Sequence, residues 1–138
     1  PLHAVICDFG LAIKCKSPEK SHTNKIKTGS LIFMAHEIIV PYISSYSYAS
    51  DMWAYGITYW HLINKCEPYL DLKNPEEYRA KIKSGYKLDF KDVHDNPELH
   101  KLIEKTWLTN PLDRPTASQV VELLTQSTET LQKRKKIT

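Results

Sequence analysis

Two carboxylates stand where a folded chain has to account for them. Asp8 ends the short apolar run Ala4 to Cys7, the pattern of a buried strand feeding a functional loop. Taken alone, the same residue also suits a turn after a strand. Asp51 opens the stretch Met52 to Ile63, which carries Met52, Trp53, Ala54, Tyr55, Ile57, Tyr59, Trp60, Leu62 and Ile63. A helix that is apolar on nearly every face is a central buried helix, and a carboxylate at its end needs partners. Between the two lies a polar, basic, hydroxyl-rich stretch, Lys16 to Gly29, with almost no apolar periodicity. A loop of that length in a compact domain is functional or disordered. Cys7, Cys15 and Cys66 are odd in number and form no C-x-x-C pair, which favours free thiols in a reducing, cytoplasmic setting. The six histidines are scattered, none at H-x-x-x-H spacing with an acidic neighbour, so a zinc site is not expected.

The elements that position these residues announce themselves unevenly. Leu11 to Lys14 suits a second short strand. Ser50 is a candidate N-cap for the central helix, with Asp51 in its first turn. Asn74-Pro75-Glu76-Glu77 supplies a cap, a proline at the first helical position and two acids, and Gly85 stops that helix. Asn96-Pro97-Glu98 repeats the start signal, followed by Leu99, Leu102, Ile103 and Thr106 at helical spacing and closed by Trp107. Thr116 and Gln119 form a capping box ahead of Val120, Leu123 and Leu124. No internal repeat is present. The expected fold is mainly α: one domain with a buried central helix and a small β element at its front. Trp53, Trp60 and Trp107 are assigned to the core.

With 138 residues, 41% hydrophobic and 25% charged, the chain can build one ordinary globular core. No apolar run reaches membrane-span length, and no signal pattern opens the chain, where Pro1 looks like a cut point. A net charge of +3 does not suggest a nucleic-acid surface. The positive excess is local, in Lys14, Lys16, Lys20, Lys25 and Lys27 and in the tail Lys133-Arg134-Lys135-Lys136. The tail reads first as a solvated, frayed end, and second as a weak contact for an anionic surface.

Five segments in order carry a resemblance. Asp8-Phe9-Gly10 follows an apolar run and precedes a long polar loop. That loop ends at Gly29-Ser30-Leu31-Ile32-Phe33-Met34-Ala35-His36-Glu37, which resembles the G-T-x-x-Y-M-A-P-E segment of protein kinases. Asp51-Met52-Trp53-Ala54-Tyr55-Gly56 resembles the D-x-x-x-x-G of the kinase central helix, and Glu67-Pro68-Tyr69 the turn after it. Trp107 to Thr116, with Pro111, Arg114 and Pro115, resembles the W-x-x-d-P-x-x-R-P-T before the last kinase helix. The match runs from Val5 to about Leu124 and looks closest to the tyrosine-kinase-like group, with Gly29-Ser30 in the Ser/Thr-type form. It implies a partial kinase domain over residues 1–126, an activation segment over 8–37 and a basic tail over 127–138.

The resemblance assigns expectations residue by residue. Asp8 matches the aspartate that holds magnesium against the ATP phosphates, a hard carboxylate ligand for a hard cation. Phe9 would pack inward, and Gly10 would permit a backbone conformation closed to side chains. Ser17, Ser21, Thr23 and Thr28 are candidate phosphosites, because a phosphate could order the loop against nearby lysines; an unmodified loop is the alternative for each. Ser30 matches the residue beside the acceptor hydroxyl. Glu37 and Arg114 match a structural guanidinium–carboxylate pair. Asp51 matches the aspartate that binds the catalytic loop, and should lack its usual partners here. His36 replaces the proline of A-P-E, which puts loop rigidity in question more than catalysis.

The same resemblance marks what the chain does not carry. It has four glycines, none in G-x-G-x-x-G, and no H-R-D, so no catalytic residue is assigned within it. Two functions follow. One is part of a protein kinase that uses ATP and magnesium on protein Ser/Thr, or Tyr, with this chain inactive by itself for want of the catalytic loop and amino-terminal lobe. The other is a pseudokinase or truncated module that binds partners without catalysis, through the basic loop or the helical surface from Asn74 to Gly85.

Overall fold

The computed structural model of the chain describes residues 3–15, 17, 21–24, 27–41, 44–90 and 97–135, with side chains as far as Gln126. Two short strands, β1 (His22–Asn24) and β2 (Ser44–Tyr46), pair antiparallel, with His22 opposite Tyr46 and Thr23 opposite Ser45. Between them lies the one-turn helix α1 (His36–Ile39). The remaining helices are α2 (Tyr48–Asn64), α3 (Pro75–Lys83), α4 (Pro97–Thr106) and α5 (Ala117–Lys135). The mainly helical architecture with a small β element is as expected, but the strands are not where the apolar runs placed them. Residues 4–7 and 11–14 form no strand, and Val5 and Ile6 are exposed. An apolar run becomes a strand only when an edge pairs with it. The polar His22–Asn24 and Ser44–Tyr46 pair because backbone hydrogen bonding does not depend on side-chain polarity.

Helix α2 is the pillar of the fold. It starts one turn earlier than Ser50 suggests: Ser47 is the cap, and Ser50 is the third helical residue. The Ser50 hydroxyl accepts the Ser47 N–H at 2.9 Å and donates to the Ser47 carbonyl at 2.6 Å, so the earlier of two serines wins the boundary. Met52, Trp53, Gly56, Ile57 and Trp60 are buried, while Tyr48, Tyr55, Leu62 and Ile63 on the other side face solvent. The helix is therefore buried along one side only, not all round. Gly56 marks its closest approach to α4. A methyl group there would lie 1.9 Å from Thr106 Oγ1 and 2.9 Å from Trp107 Cε3, a distance no packed pair of atoms tolerates.

Ile39, Ile57, Ile82 and Ile103 are among the largest fully buried side chains, and Trp53, Trp60 and Trp107 join the same core. The three tryptophans are core, as expected. Trp60 also donates its indole N–H to the Asp89 carbonyl at 2.9 Å, fastening the extended chain after α3 to the pillar. Phe90 continues that strap by stacking on His100 of α4, with ring centroids 4.3 Å apart.

The boundary signals of α3 hold in detail. Asn74 Oδ1 accepts the Glu77 N–H, and Glu77 reaches back to the Lys73 N–H. At the far end Gly85 takes φ 76°, with Tyr86 N–H bonded to Lys81 O and Gly85 N–H to Ile82 O, a Schellman stop. Thr116 and Gln119 exchange reciprocal bonds at the start of α5. Asn96, the expected cap of α4, lies outside the described residues. Helix α5 runs past residue 126 to Lys135. The side chains of that tail lie outside the described residues.

Candidate functional site

The segment from Asp8 to Glu37 is built as a loose entry, a tethered middle and a fixed end. Asp8 sits in the left-handed region, φ 62° and ψ 65°, and caps a single 3-10 turn, Phe9–Leu11. Its carboxylate is exposed. Positive φ costs a branched side chain more than an aspartate, whose short polar group tolerates it. The expectation for Gly10 is corrected: Gly10 is not the strained residue. It has no positive φ, and an added Cβ would meet only Asp8 Oδ1 at 3.6 Å. Phe9 does not pack inward either. It is 68% exposed, because no described element lies over the turn that carries it.

No three His, Cys, Asp or Glu side chains gather anywhere among the described residues. Asp8 would therefore meet a metal as one carboxylate. That fits magnesium, which keeps several waters and binds through one or two carboxylates together with substrate phosphates. The chain's contribution would be to hold that single oxygen ligand at the head of the loop.

The middle of the segment is tied to the chain that enters α2. Beyond the β1–β2 pairing, the Thr28 N–H donates to the Tyr46 hydroxyl at 3.0 Å. Lys27 donates its ammonium to the Ile39 carbonyl. Ser21, Thr23 and Thr28 are exposed and Ser17 is half-buried, and among the described residues none of these four hydroxyls is committed to a hydrogen bond. Of the lysines considered as phosphate partners, Lys16, Lys20 and Lys25 lie outside the described residues. Gly29 then turns the chain at φ 117°, a conformation that favours glycine. Ser30 is exposed at the head of a second 3-10 turn, Leu31–Phe33, where its carbonyl accepts the Phe33 N–H at 3.0 Å. On the opposite side of that turn the Tyr78 hydroxyl of α3 donates to the Ile32 carbonyl at 3.0 Å.

The end of the segment is fixed. Met34 and Ala35 are buried, and the Ala35 carbonyl accepts the N–H groups of Ile38 and Ile39. His36 thus occupies the first position of α1 without proline's preset geometry, and the backbone still forms its turn. Glu37 meets Arg114 as a two-pronged pair, Nη1 to Oε1 and Nη2 to Oε2, both at 2.7 Å. The guanidinium side chain is wholly shielded from water and the carboxylate side chain 13% exposed. Arg114 uses its remaining donors on the carbonyls of Ala49 at 2.7 Å, Leu108 at 2.8 Å and Thr109 at 3.4 Å. The Trp53 ring lies 5.1 Å away. Nearly every N–H of the buried cation is therefore answered, which is the condition under which burial of a charge is sustained.

Asp51 stands in the first turn of α2 without a side-chain partner among the described residues. Its surface reaches solvent, yet the surrounding protein displaces enough water to push its pKa upward. The structure thus brings Glu37 and Arg114 together, while among the described residues no side-chain hydrogen bond links Asp8, Ser30 and Asp51 to one another. Sequence reasoning missed Tyr46 and Tyr78. Only their hydroxyl partners, 18 and 46 residues away in sequence, distinguish them.

The family described as protein tyrosine and serine/threonine kinase matches residues 1–124. Among curated proteins, the mast/stem cell growth factor receptor Kit of Gallus gallus is 32% identical over 122 residues, covering 88% of this chain and 12% of the receptor. Vascular endothelial growth factor receptor 2 of Danio rerio is 33% identical over 121 residues, covering 86% of this chain and 9% of the receptor. The chain thus spans only a small part of the length of the relatives it matches. No helix of the described residues is long and apolar enough to cross a membrane.

Proposed function

Because the chain belongs to the protein tyrosine and serine/threonine kinase family, we propose that it forms the substrate-side part of an enzyme that transfers the ATP γ-phosphate to a protein hydroxyl. The observation that carries this reading is the architecture of residues 8–37. An exposed carboxylate opens the segment, accessible hydroxyls line it, and Glu37 ties its end to Arg114, ahead of α5; Arg114 also bonds the Ala49 carbonyl of α2. ATP and magnesium are the implied cofactors, with Asp8 as a ligand to the metal ion, whose positive charge offsets that of the phosphates. The remaining positioning groups, a phosphate lysine and an H-R-D aspartate, do not occur in these 138 residues. Phosphoryl transfer depends almost wholly on such positioning, so the chain by itself transfers no phosphate.

The finer assignment is a Ser/Thr acceptor. It rests on Gly29-Ser30, where a small hydroxyl side chain stands exposed beside the glycine turn. Ser21, Thr23 and Thr28, exposed, and Ser17, half-buried, are proposed phosphosites on the ground that none of these hydroxyls is hydrogen-bonded among the described residues. Free thiols at Cys7, Cys15 and Cys66 support work in a reducing, cytoplasmic compartment, and a net charge of +3 gives no support to a nucleic-acid partner. The test is to incubate the full protein that carries this chain with Mg-ATP and matched Ser, Thr and Tyr peptides, beside Asp8→Asn. Transfer to Ser and Thr that falls by orders of magnitude in Asp8→Asn is expected. Transfer confined to Tyr overturns the acceptor assignment. No transfer, with no nucleotide-dependent rise in melting temperature, overturns the enzyme and leaves a binding module.

A further inference from the structure

Two backbone groups flanking Ser30 have no partner in any helix or strand. One is the N–H of Thr28, the other the carbonyl of Ile32. Each is satisfied by a phenol delivered from elsewhere in the fold: Tyr46 Oη accepts from Thr28 at 3.0 Å, and Tyr78 Oη donates to Ile32 at 3.0 Å. Between these anchors the chain turns at Gly29, φ 117°, and its internal backbone ties among the described residues are the 3-10 bonds from Phe33 to Ser30 and from Met34 to Leu31. The Ser30 side chain itself makes no bond among the described residues.

Both phenols are mounted on fastened elements. Tyr46 lies in β2 opposite His22, one residue before the Ser47 cap of α2. Tyr78 is 2% exposed on α3 and meets the Tyr69 ring edge-on at 4.9 Å. Tyr69 is held in the left-handed region, φ 59°, where an aromatic residue persists only if its surroundings fix it. Burial and the neighbouring Tyr69 push the Tyr78 hydroxyl well above the ordinary phenol range, so it remains a donor at any working pH.

We infer that Tyr46 and Tyr78 are positioning residues for the protein substrate: their hydroxyls bracket residues 28–32 so that the Gly29-Ser30 surface is presented in one conformation. A loop held at two backbone points loses little freedom when a peptide binds it, and preorganisation of this kind appears in affinity. Neither phenol touches the nucleotide side of the site at Asp8. Their loss should therefore weaken the peptide term and leave the ATP term alone.

This inference rests on the kinase reading, and its test separates the two. Tyr46→Phe and Tyr78→Phe keep the rings and remove the hydroxyls, and Tyr55→Phe, on the solvent-facing side of α2, serves as the control phenol. In the full protein, the two loop variants raise the KM for a peptide substrate roughly two- to tenfold, with kcat, the KM for ATP and the melting temperature nearly unchanged. The Thr28 amide exchanges with solvent faster in Tyr46→Phe by a similar factor, and amides 29–33 do so in Tyr78→Phe. Unchanged peptide KM in both loop variants, or an equal rise in Tyr55→Phe, overturns the inference. If the full protein transfers no phosphate, the kinase reading falls, and the exchange rates with the peptide Kd in place of KM decide the bracket: unaltered protection or unaltered Kd refutes it.

Discussion

Replacing Arg114 with alanine is the most demanding perturbation of this fold. The guanidinium makes both 2.7 Å bonds to Glu37 and reaches the carbonyls of Ala49, Leu108 and Thr109. Truncation leaves the Glu37 carboxylate, 13% exposed, without its countercharge. Breaking a buried pair from one side costs about 3–5 kcal/mol, the Ala49, Leu108 and Thr109 carbonyls add further unmet acceptors, and the cation also leaves the face of Trp53. At roughly 4 °C per kcal/mol for a domain of this size, the melting temperature of this chain should fall by about 12–20 °C, and that of the full protein by less. Circular dichroism measures this, on Arg114→Ala, Glu37→Ala and the double variant. The cycle matters more than either single value. If the pair is coupled, the double variant loses less than the two single losses added together, by about 1–3 kcal/mol. An unchanged melting temperature in Arg114→Ala, or strictly additive losses, refutes the reasoning.

Two further outcomes follow from the packing and the electrostatics. Gly56→Ala sets a methyl 1.9 Å from Thr106 Oγ1, so α2 and α4 must separate; urea unfolding should show a loss of about 1–3 kcal/mol or more, partly recovered by adding Thr106→Ala. Asp51 carries a pKa raised by partial burial, so its charged form is the disfavoured one in the fold. The stability linked to this group is fully present below its unfolded pKa and is lost as pH rises through the higher folded value. Asp51→Asn should therefore stabilise this chain by itself at neutral pH, and the gain should vanish when melting is followed down to about pH 3; a gain that persists there is the contrary result.

What could be read in the sequence was what local chemistry decides. Asn74-Pro75 and Gly85 bound α3 because caps act within four residues, and Thr116 with Gln119 starts α5 for the same reason. The start of α2 slipped by one turn because Ser47 and Ser50 are equivalent on paper, and only the bond between them ranks them. The strands escaped because their partners, His22–Asn24 and Ser44–Tyr46, are polar and separated by α1. At the site, Glu37 and Arg114 were legible only through resemblance, since 77 residues separate them. Phe9, exposed where an inward side chain was expected, shows that a side chain's direction depends on what lies over it. Tyr46 and Tyr78 could not be read at all, because a phenol's partner is a property of the assembled fold.

The Glu37–Arg114 clasp also has a kinetic side. Joining positions 77 apart closes a long stretch of chain, and that entropy has to be surrendered before the charges gain anything from meeting. Such a contact belongs to the late, native side of the folding barrier. Its removal should accelerate unfolding far more than it slows folding, so the clasp acts chiefly as a latch that sets how long the folded state lasts.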